Sequence, residues 1–188
     1  MVDQPLGAAA AARPPGPGLL AAQRIVHAAH QAARAGHTHL SWANLRDWPA
    51  WAGPGQPPRP WQQALGACWH SAELQQCIDG ARLNALGEAM GTPTLEAVLQ
   101  LDAAASYAGA PLPAAGSAAD WCDALAADGR TVALASLAEP GLRLAVAAAL
   151  GWETGAPGAA NAANAANAAG PPAAAARAWM QLVEGACA

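Results

Sequence analysis

Apolar residues recur at helical spacing over most of the chain, so the predicted elements are helices. Between Leu83 and Met90 they follow one another at three and four residues, and Gly91 comes directly after them. That spacing is typical of one buried helix face, and the glycine predicts its end. Thr92 and Pro93 then predict a second start, with Thr92 as N-cap and Pro93 in the first turn. The two elements together predict a helical hairpin.

Further helices are predicted on both sides of this hairpin by the same apolar spacing. They are a helix over 19–35 ended by Gly36, a short one from a Ser41 cap through Trp48, one from Trp61 to about Trp69, one from Ala72 to Ile78 capped by Ser71, one beginning after Ser117 and continued over Arg130 to Ala138, and one that carries Leu142, Val146 and Leu150. Asp79-Gly80 is predicted to turn the chain. Ser117 and Asp120 have the spacing of a capping box, in which both side chains bond backbone N–H groups.

Proline, glycine and repeats divide the chain into four predicted parts. Residues 1–18 are predicted to be a flexible Ala/Pro/Gly arm and 19–152 a helical domain. Residues 153–172 carry an Asn-Ala-Ala repeat and predict a low-complexity linker, and 173–188 predict a short amphipathic helix that needs a partner surface in cis or in trans. The predicted fold class is all-α, a compact bundle of short helices with a disordered N-terminal arm.

Composition limits what these helices can bury and what they can bind. Of the 188 residues, 57 are alanine, while the nine basic residues are all arginine and stand apart from one another. A chain without a basic stripe is not expected to bind nucleic acid. No apolar run approaches the roughly 20 residues of a membrane span, and Asp3 stands where a signal peptide needs a positive charge. The sequence therefore predicts a cytoplasmic protein without direct membrane insertion.

Histidines and cysteines leave one metal-binding interpretation open. The residues that could contribute to a mixed zinc site are His27, His30, His37, His39, Cys68, His70 and Cys77. Zinc accepts nitrogen and thiolate ligands, but the close pairs here lack the spacing and turn residues of familiar zinc motifs. The alternative is that these histidines are solvated and these cysteines are free thiols, and the prediction is therefore no metal and no cofactor.

The sequence contains no recognisable catalytic motif. No nucleophile elbow occurs, and Cys68 and His70, two residues apart, would point to opposite sides of a helix. Asp120 is explained by helix capping, and a phosphate-binding P-loop would require a lysine. The sequence therefore predicts no catalytic residue and a protein that is not an enzyme.

Tryptophan is the unusual side chain of this chain. Eight tryptophans accompany one tyrosine and no phenylalanine. One interpretation is that they pack in a core that is poor in leucine and isoleucine and hold its helices together. The other is that some of them form a partner-binding patch. The candidate interaction residues are Trp42, Trp48, Trp51, Arg82, Trp179, Leu182 and Val183.

Two segments carry a resemblance to a known family. They read Leu40-Ser-Trp-Ala-Asn-Leu-Arg-Asp-Trp-Pro-Ala-Trp51 and Cys77-Ile-Asp-Gly-Ala-Arg-Leu-Asn-Ala-Leu-Gly-Glu-Ala-Met-Gly91. This pattern resembles the SctK (YscK-like) accessory proteins of bacterial type III secretion over about residues 19–152. The Asn-Ala-Ala repeat and the absence of lysine depart from that family's pattern.

The resemblance implies a function that the residues alone do not. It implies a non-enzymatic cytoplasmic adaptor at the inner-membrane secretion apparatus, which links the cytoplasmic domain of the membrane-ring protein to the pod protein of the sorting platform and supports protein export in virulence. Two alternatives stay open: a small helical His/Cys metal-binding or redox protein, and a secretion chaperone or regulator.

Overall fold

The described part of the chain is built from helices, as the all-α fold class predicted. The computed structural model describes residues 23, 26, 27, 46–53, 56–102, 111–113, 116–152 and 170–186. Within these ranges it has no strand, a 3-10 turn over Ala50–Ala52, and seven α-helices: α1 Arg59–Trp69, α2 Ser71–Gln75, α3 Gly80–Met90, α4 Thr92–Leu99, α5 Ala118–Ala135, α6 Pro140–Leu150 and α7 Ala173–Ala186.

Parts of the predicted organisation lie outside the described residues. The arm over 1–18 and the linker over 153–169 are among them. Of the predicted helix over 19–35, only Gln23, Val26 and His27 are described, and all three are helical and exposed. The predicted helix through Trp48 ends sooner, because the backbone is helical at Arg46 and already turns at Asp47.

Helix α1 is the central element of the bundle. Every residue from Trp61 to Trp69 is buried, although a surface helix would bury only one face. Its small residues, Ala64, Gly66 and Ala67, allow neighbouring helices to approach from several sides. The helix begins at Arg59, two residues before the predicted start, with Pro60 in its first turn.

Two glycines set the packing of α1 against α5, the most extensive helix pair of the fold. A Cβ on Gly66 would lie under 3.0 Å from the backbone of Leu125, and a Cβ on Gly129 would lie under 3.0 Å from the carbonyl of Gln62. In each helix, therefore, one glycine lies directly against the backbone of the other helix. This reciprocal close approach depends on the absence of a side chain at both positions.

Among the described helices, α3, α5 and α6 begin with an acceptor side chain at the N-cap. Ser117 and Asp120 form the predicted capping box at α5, which is confirmed, with the Ser117 backbone N–H 2.7 Å from the Asp120 carboxylate. Asp79 accepts from the backbone N–H of Arg82 at α3, and Glu139 accepts from that of Leu142 at α6. Each cap satisfies an N–H that the helix itself leaves without a partner.

Two other predicted caps are wrong. Ser71 is buried as the first residue of α2, where His70 holds the N-cap position, and α2 ends at Gln75 rather than at Ile78. The backbone of Asp79, the N-cap of α3, is extended, so α2 cannot run on into α3. Thr92 is likewise already helical, because Gly91, with a φ of 94°, occupies the cap position of α4.

The last three helices complete one hydrophobic core. The stretch Arg130 to Ala138 was predicted as a continuation, and α5 indeed runs unbroken to Ala135. Helix α6 ends at Gly151 in the left-handed conformation, with a φ of 65°. Helix α7 packs against α1, α4 and α5, so the surface that this C-terminal helix needs is supplied in cis.

Candidate functional site

A cluster of three tryptophans joins distant parts of the chain. The ring of Trp51 lies 5.7 Å from that of Trp61 in α1 and 6.0 Å from that of Trp152, centroid to centroid. Trp51 and Trp152 are stacked at 12°, while the pair with Trp61 is tilted at 33°. Such offset aromatic pairs stabilise a fold by about 0.5–1.5 kcal/mol beyond the apolar area that they bury. We call the Trp61 and Trp152 rings the tryptophan shelf.

The segment that lies on this shelf is a short, internally bonded turn, residues 48–53, which we call the strap. The Trp48 indole N–H donates to the Ala52 carbonyl at 2.8 Å, and the Ala52 backbone N–H donates to the Pro49 carbonyl at 3.0 Å. Pro49 is extended and starts the 3-10 turn, as its fixed φ favours. Trp48 and Trp51 are each half-buried, whereas Ala52 is buried in the core.

Two buried indole donors are unpaired in the described structure. The N–H groups of Trp69 and Trp152 are shielded from solvent and have no hydrogen-bond partner. An unsatisfied buried donor costs about 1–3 kcal/mol, which makes each of them an exception among buried polar groups. Trp152 combines this unpaired N–H with a ring face covered by the strap. The shelf therefore offers both an aromatic surface and a hydrogen-bond donor.

Only some of the predicted interaction residues come together at this cluster. Trp48 and Trp51 lie in the strap, and Trp42 lies outside the described residues. Arg82 stands in α3, where its guanidinium is 4.4 Å from the Trp121 ring and donates to the Gly116 carbonyl at 2.9 Å. Arg82 thus braces the loop before α5 against α3.

The three predicted interaction residues of α7 face the protein itself. Trp179 and Val183 are 4% and 0% exposed, and Leu182 is partly buried against the same core. As partner contacts, Trp179 and Val183 would require α7 to leave the bundle, whereas Leu182 is partly open to solvent. In the described arrangement their side chains cover α1, α4 and α5.

A buried histidine forms a polar cluster that joins several elements of the described structure. His70 ends α1 and has 3% of its side chain exposed; its Nε2 lies 2.8 Å from Asp128 of α5 and its Nδ1 3.6 Å from Glu73 of α2. Glu73 also accepts from the backbone N–H of Leu112 at 3.0 Å. The imidazole therefore connects two helices and a loop, and the Trp69 ring stacks beside it at 6.0 Å.

The His/Cys set of the metal-binding alternative is only partly described. His30, His37 and His39 lie outside the described residues, and His27 is exposed on its helical segment. Within the described ranges, no group of three or more His, Cys, Asp and Glu side chains has a metal-binding arrangement. His70 and Cys68, both buried, serve α1 as a cross-link and as a packing residue.

The described cysteines are free thiols with different surroundings. Burial raises the pKa of the Cys68 thiol to about 12, which keeps it protonated and unreactive at neutral pH. Partial burial also raises the pKa of Cys122, with Asp123 adding to the rise and Arg59 opposing it. Arg59 and Asp123 form an ion pair across α1 and α5.

Sequence reasoning missed three residues of these clusters. Trp61 and Trp152 were not separated from the other tryptophans, and His70 was considered as a zinc ligand and beside Cys68 but not as a link between helices. Trp152 stands just after the Gly151 that ends α6, and a large aromatic residue directly after a glycine stop was the available signal. Nothing local in the sequence identifies Asp128 as the partner of His70, because 58 positions separate them.

Comparisons with protein-family models, with curated proteins and with solved structures find no match to this chain. Among the helices of the described ranges, none is both long and apolar enough to span a membrane.

Proposed function

We propose that this protein is a non-enzymatic adaptor of a bacterial type III secretion system, with the role that its SctK-like segments imply. It would act in the cytoplasm beside the inner-membrane apparatus and join the cytoplasmic domain of the ring protein to the pod protein of the sorting platform. The observation that carries the proposal is the resemblance of residues 40–51 and 77–91 to that family.

The second of these segments has a physical interpretation in the fold. It contains all of α3, with Asp79 as N-cap, Arg82 as the brace to Gly116 and Trp121, and Gly91, at positive φ, as the C-cap. The residues that produce the resemblance are therefore those that start, anchor and end a helix. A resemblance at such positions supports a similar helical body, which agrees with an adaptor that works through its shape.

The first segment supplies the surface that best fits an adaptor. Its described part ends in the strap, where Trp48 and Trp51 are half-buried beside the shelf. Interface hot spots are enriched in tryptophan at positions that a partner completes. Both side chains are partly open to solvent in the folded bundle, which supports a role for the strap region in partner binding.

The proposal is tested by reconstitution of the two expected complexes. The full chain is co-expressed with the ring protein's cytoplasmic domain and, separately, with the pod protein, and each mixture is analysed by size-exclusion chromatography. We expect a stable complex with at least one of them. If neither complex forms with a sample that circular dichroism shows to be helical, the proposal is wrong.

Two matched variants and one further bait make the experiment specific. Trp51→Ala should change the affinity of the complex by at least about tenfold: binding weakens where the Trp51 ring itself contacts the partner and tightens where the partner replaces the strap on the tryptophan shelf. Thr131→Ala, at an exposed residue of α5 outside both segments of resemblance, should leave the affinity unchanged. A secreted substrate serves as the third bait. Binding to that substrate alone would favour the chaperone alternative over the adaptor.

A further inference from the structure

We propose that the tryptophan shelf is a docking site for a peptide segment that carries a tryptophan with a hydrogen-bond acceptor beside it, and that the strap is its occupant in the free protein. The proposal rests on the proposed adaptor function only for the identity of the natural partner. The shelf itself is defined by contacts within this chain.

The strap is attached to the shelf in a way that permits exchange. Its hydrogen bonds, from Trp48 to Ala52 and from Ala52 to Pro49, both run within the segment. Within the described part of the chain, no hydrogen bond joins it to α1 or α6, and it is held by the stacking of Trp51 and by the packing of Ala52 and Trp48. The chain is tied to α6 after the strap, where Gln56 Nε2 donates to the Leu150 carbonyl at 2.9 Å. Displacement of residues 48–53 alone, with that bond kept, would therefore break no hydrogen bond to the body.

The strap is also an incomplete occupant of this site. It covers the Trp152 ring but leaves the buried Trp152 N–H without an acceptor. Buried polar groups are nearly always paired, and an occupant that supplies an acceptor would bind better than the strap does. A segment with the same tryptophan and one amide or carboxylate oxygen next to it has the required chemistry.

The stacking geometry specifies an aromatic side chain for the occupant. Trp51 lies between two indole rings at 5.7 and 6.0 Å, and an aliphatic residue would not reproduce both contacts. The strap together with the two residues before it, Arg46 to Gly53, is thus a template for the partner segment.

The test uses the full-length protein and a fluorescein-labelled peptide of residues 46–53, with binding measured by fluorescence anisotropy. Two variants loosen the strap: Trp51→Ala removes the stacked ring, and Trp48→Phe removes the internal hydrogen bond while Trp51 stays in place. Apparent affinity scales with the fraction of molecules whose site is open, so the peptide Kd should fall by at least about tenfold in a loosened, folded variant. The same peptide with Trp51 replaced by Ala is the control and should not bind.

The role of the Trp152 N–H is tested with acceptor peptides. Peptides with Ala50→Asn or Ala52→Asn place an amide oxygen on either side of the tryptophan, and we expect one of them to bind about fivefold more tightly than the template, as one hydrogen bond provides. Trp152→Phe keeps an aromatic ring but removes the donor, and it should abolish that gain.

Three results would overturn the proposal. The first is a template peptide that binds the loosened variants no more tightly than the original protein. The second is an acceptor gain that is absent or survives Trp152→Phe. The third is dimerisation of the loosened variants without peptide binding, which would assign the shelf to a second copy of this chain. None of these measurements contains a secretion component, so failure here is distinct from failure of the adaptor function.

Discussion

At the scale of single residues, polar side chains in this protein divide into local caps and long-range cross-links. Ser117 and Asp120 lie three residues apart and satisfy each other's backbone N–H groups. His70, in contrast, pairs with Asp128, which lies 58 positions away. A local cap depends on residues only a few positions apart in the sequence. The long-range cross-link exists only after α1 and α5 have packed.

The capping box gives a pH-dependent prediction. Hydrogen bonds from the Ser117 hydroxyl and backbone N–H hold the pKa of Asp120 below its ordinary value of 3.8. A carboxylate whose pKa is depressed by folding stabilises the native state above its ordinary pKa, and that contribution is lost as the pH falls through the folded value. Ser117→Ala should therefore raise the pKa of Asp120, and it should destabilise the protein more at neutral than at acid pH.

An NMR titration of the Asp120 carboxyl and urea unfolding at neutral and acid pH measure the two effects. Thr131→Ala, an exposed change in the same helix far from the cap, is the control that should leave the Asp120 titration unaltered. An Asp120 pKa that does not move in Ser117→Ala would show that the hydroxyl has no part in the depression.

At the scale of the elements, the pairing of α1 with α5 decides how closely the bundle packs. Gly66 and Gly129 bring each helix against the backbone of the other. Glycine is a poor helix residue, at about 1 kcal/mol less favourable than alanine. Its presence in the buried middle of both helices is explained by this contact, which side chains would prevent.

Substitution of these glycines should separate the two helices. Gly66→Ala or Gly129→Ala places a Cβ against backbone that cannot rotate away, and we expect each to lower the free energy of unfolding by at least about 3 kcal/mol, the upper part of the range for overpacked cores. Gly185→Ala is the matched control, because a Cβ there meets nothing within 4 Å. It should be neutral or stabilising by up to about 1 kcal/mol. Urea unfolding followed by circular dichroism compares the three, and equal stability of all three would contradict the packing interpretation.

At the scale of the whole molecule, α7 adds a segment from late in the chain to the core formed with α1, α4 and α5. Ala176, Trp179, Met180 and Val183 are buried with residues of α1, α4 and α5. Fourteen residues are too few for a stable isolated helix, so this packing is what keeps α7 helical. The amphipathic helix and the predicted helical domain therefore share one core.

A single substitution tests this cooperation. Trp179→Ala should lower the free energy of unfolding by about 3–5 kcal/mol, as expected for a large buried aromatic residue. Because α7 belongs to the common core, the variant should still unfold in one transition at lower denaturant. Ile78→Ala, at a fully exposed residue, should change stability by no more than about 0.5 kcal/mol. A separate early transition for α7, seen by urea titration at single-residue NMR resolution, would mean that the helix is an independent unit.

Local signals in the sequence correctly predict the helical class, the α5 capping box and the approximate limits of α1, α3, α6 and α7. These features depend on residues within a few positions of one another, and their physical causes are apolar periodicity, capping and proline or glycine stops. The caps assigned to Ser71 and Thr92 failed because a neighbouring residue, His70 or Gly91, took the cap position. In a stretch with several adjacent candidates, local preference alone does not choose between them.

Tertiary structure decided which residues act together. The two strap tryptophans were visible in the sequence as candidates, but the shelf joins Trp61 of α1 with Trp152, and neither residue differs locally from the other tryptophans. The burial of α1 on all sides and the reciprocal glycine contact with α5 were likewise not local properties. Stacking, close backbone approach and the pairing of His70 with Asp128 arise from segments that are distant in sequence, so only the folded chain brings them together.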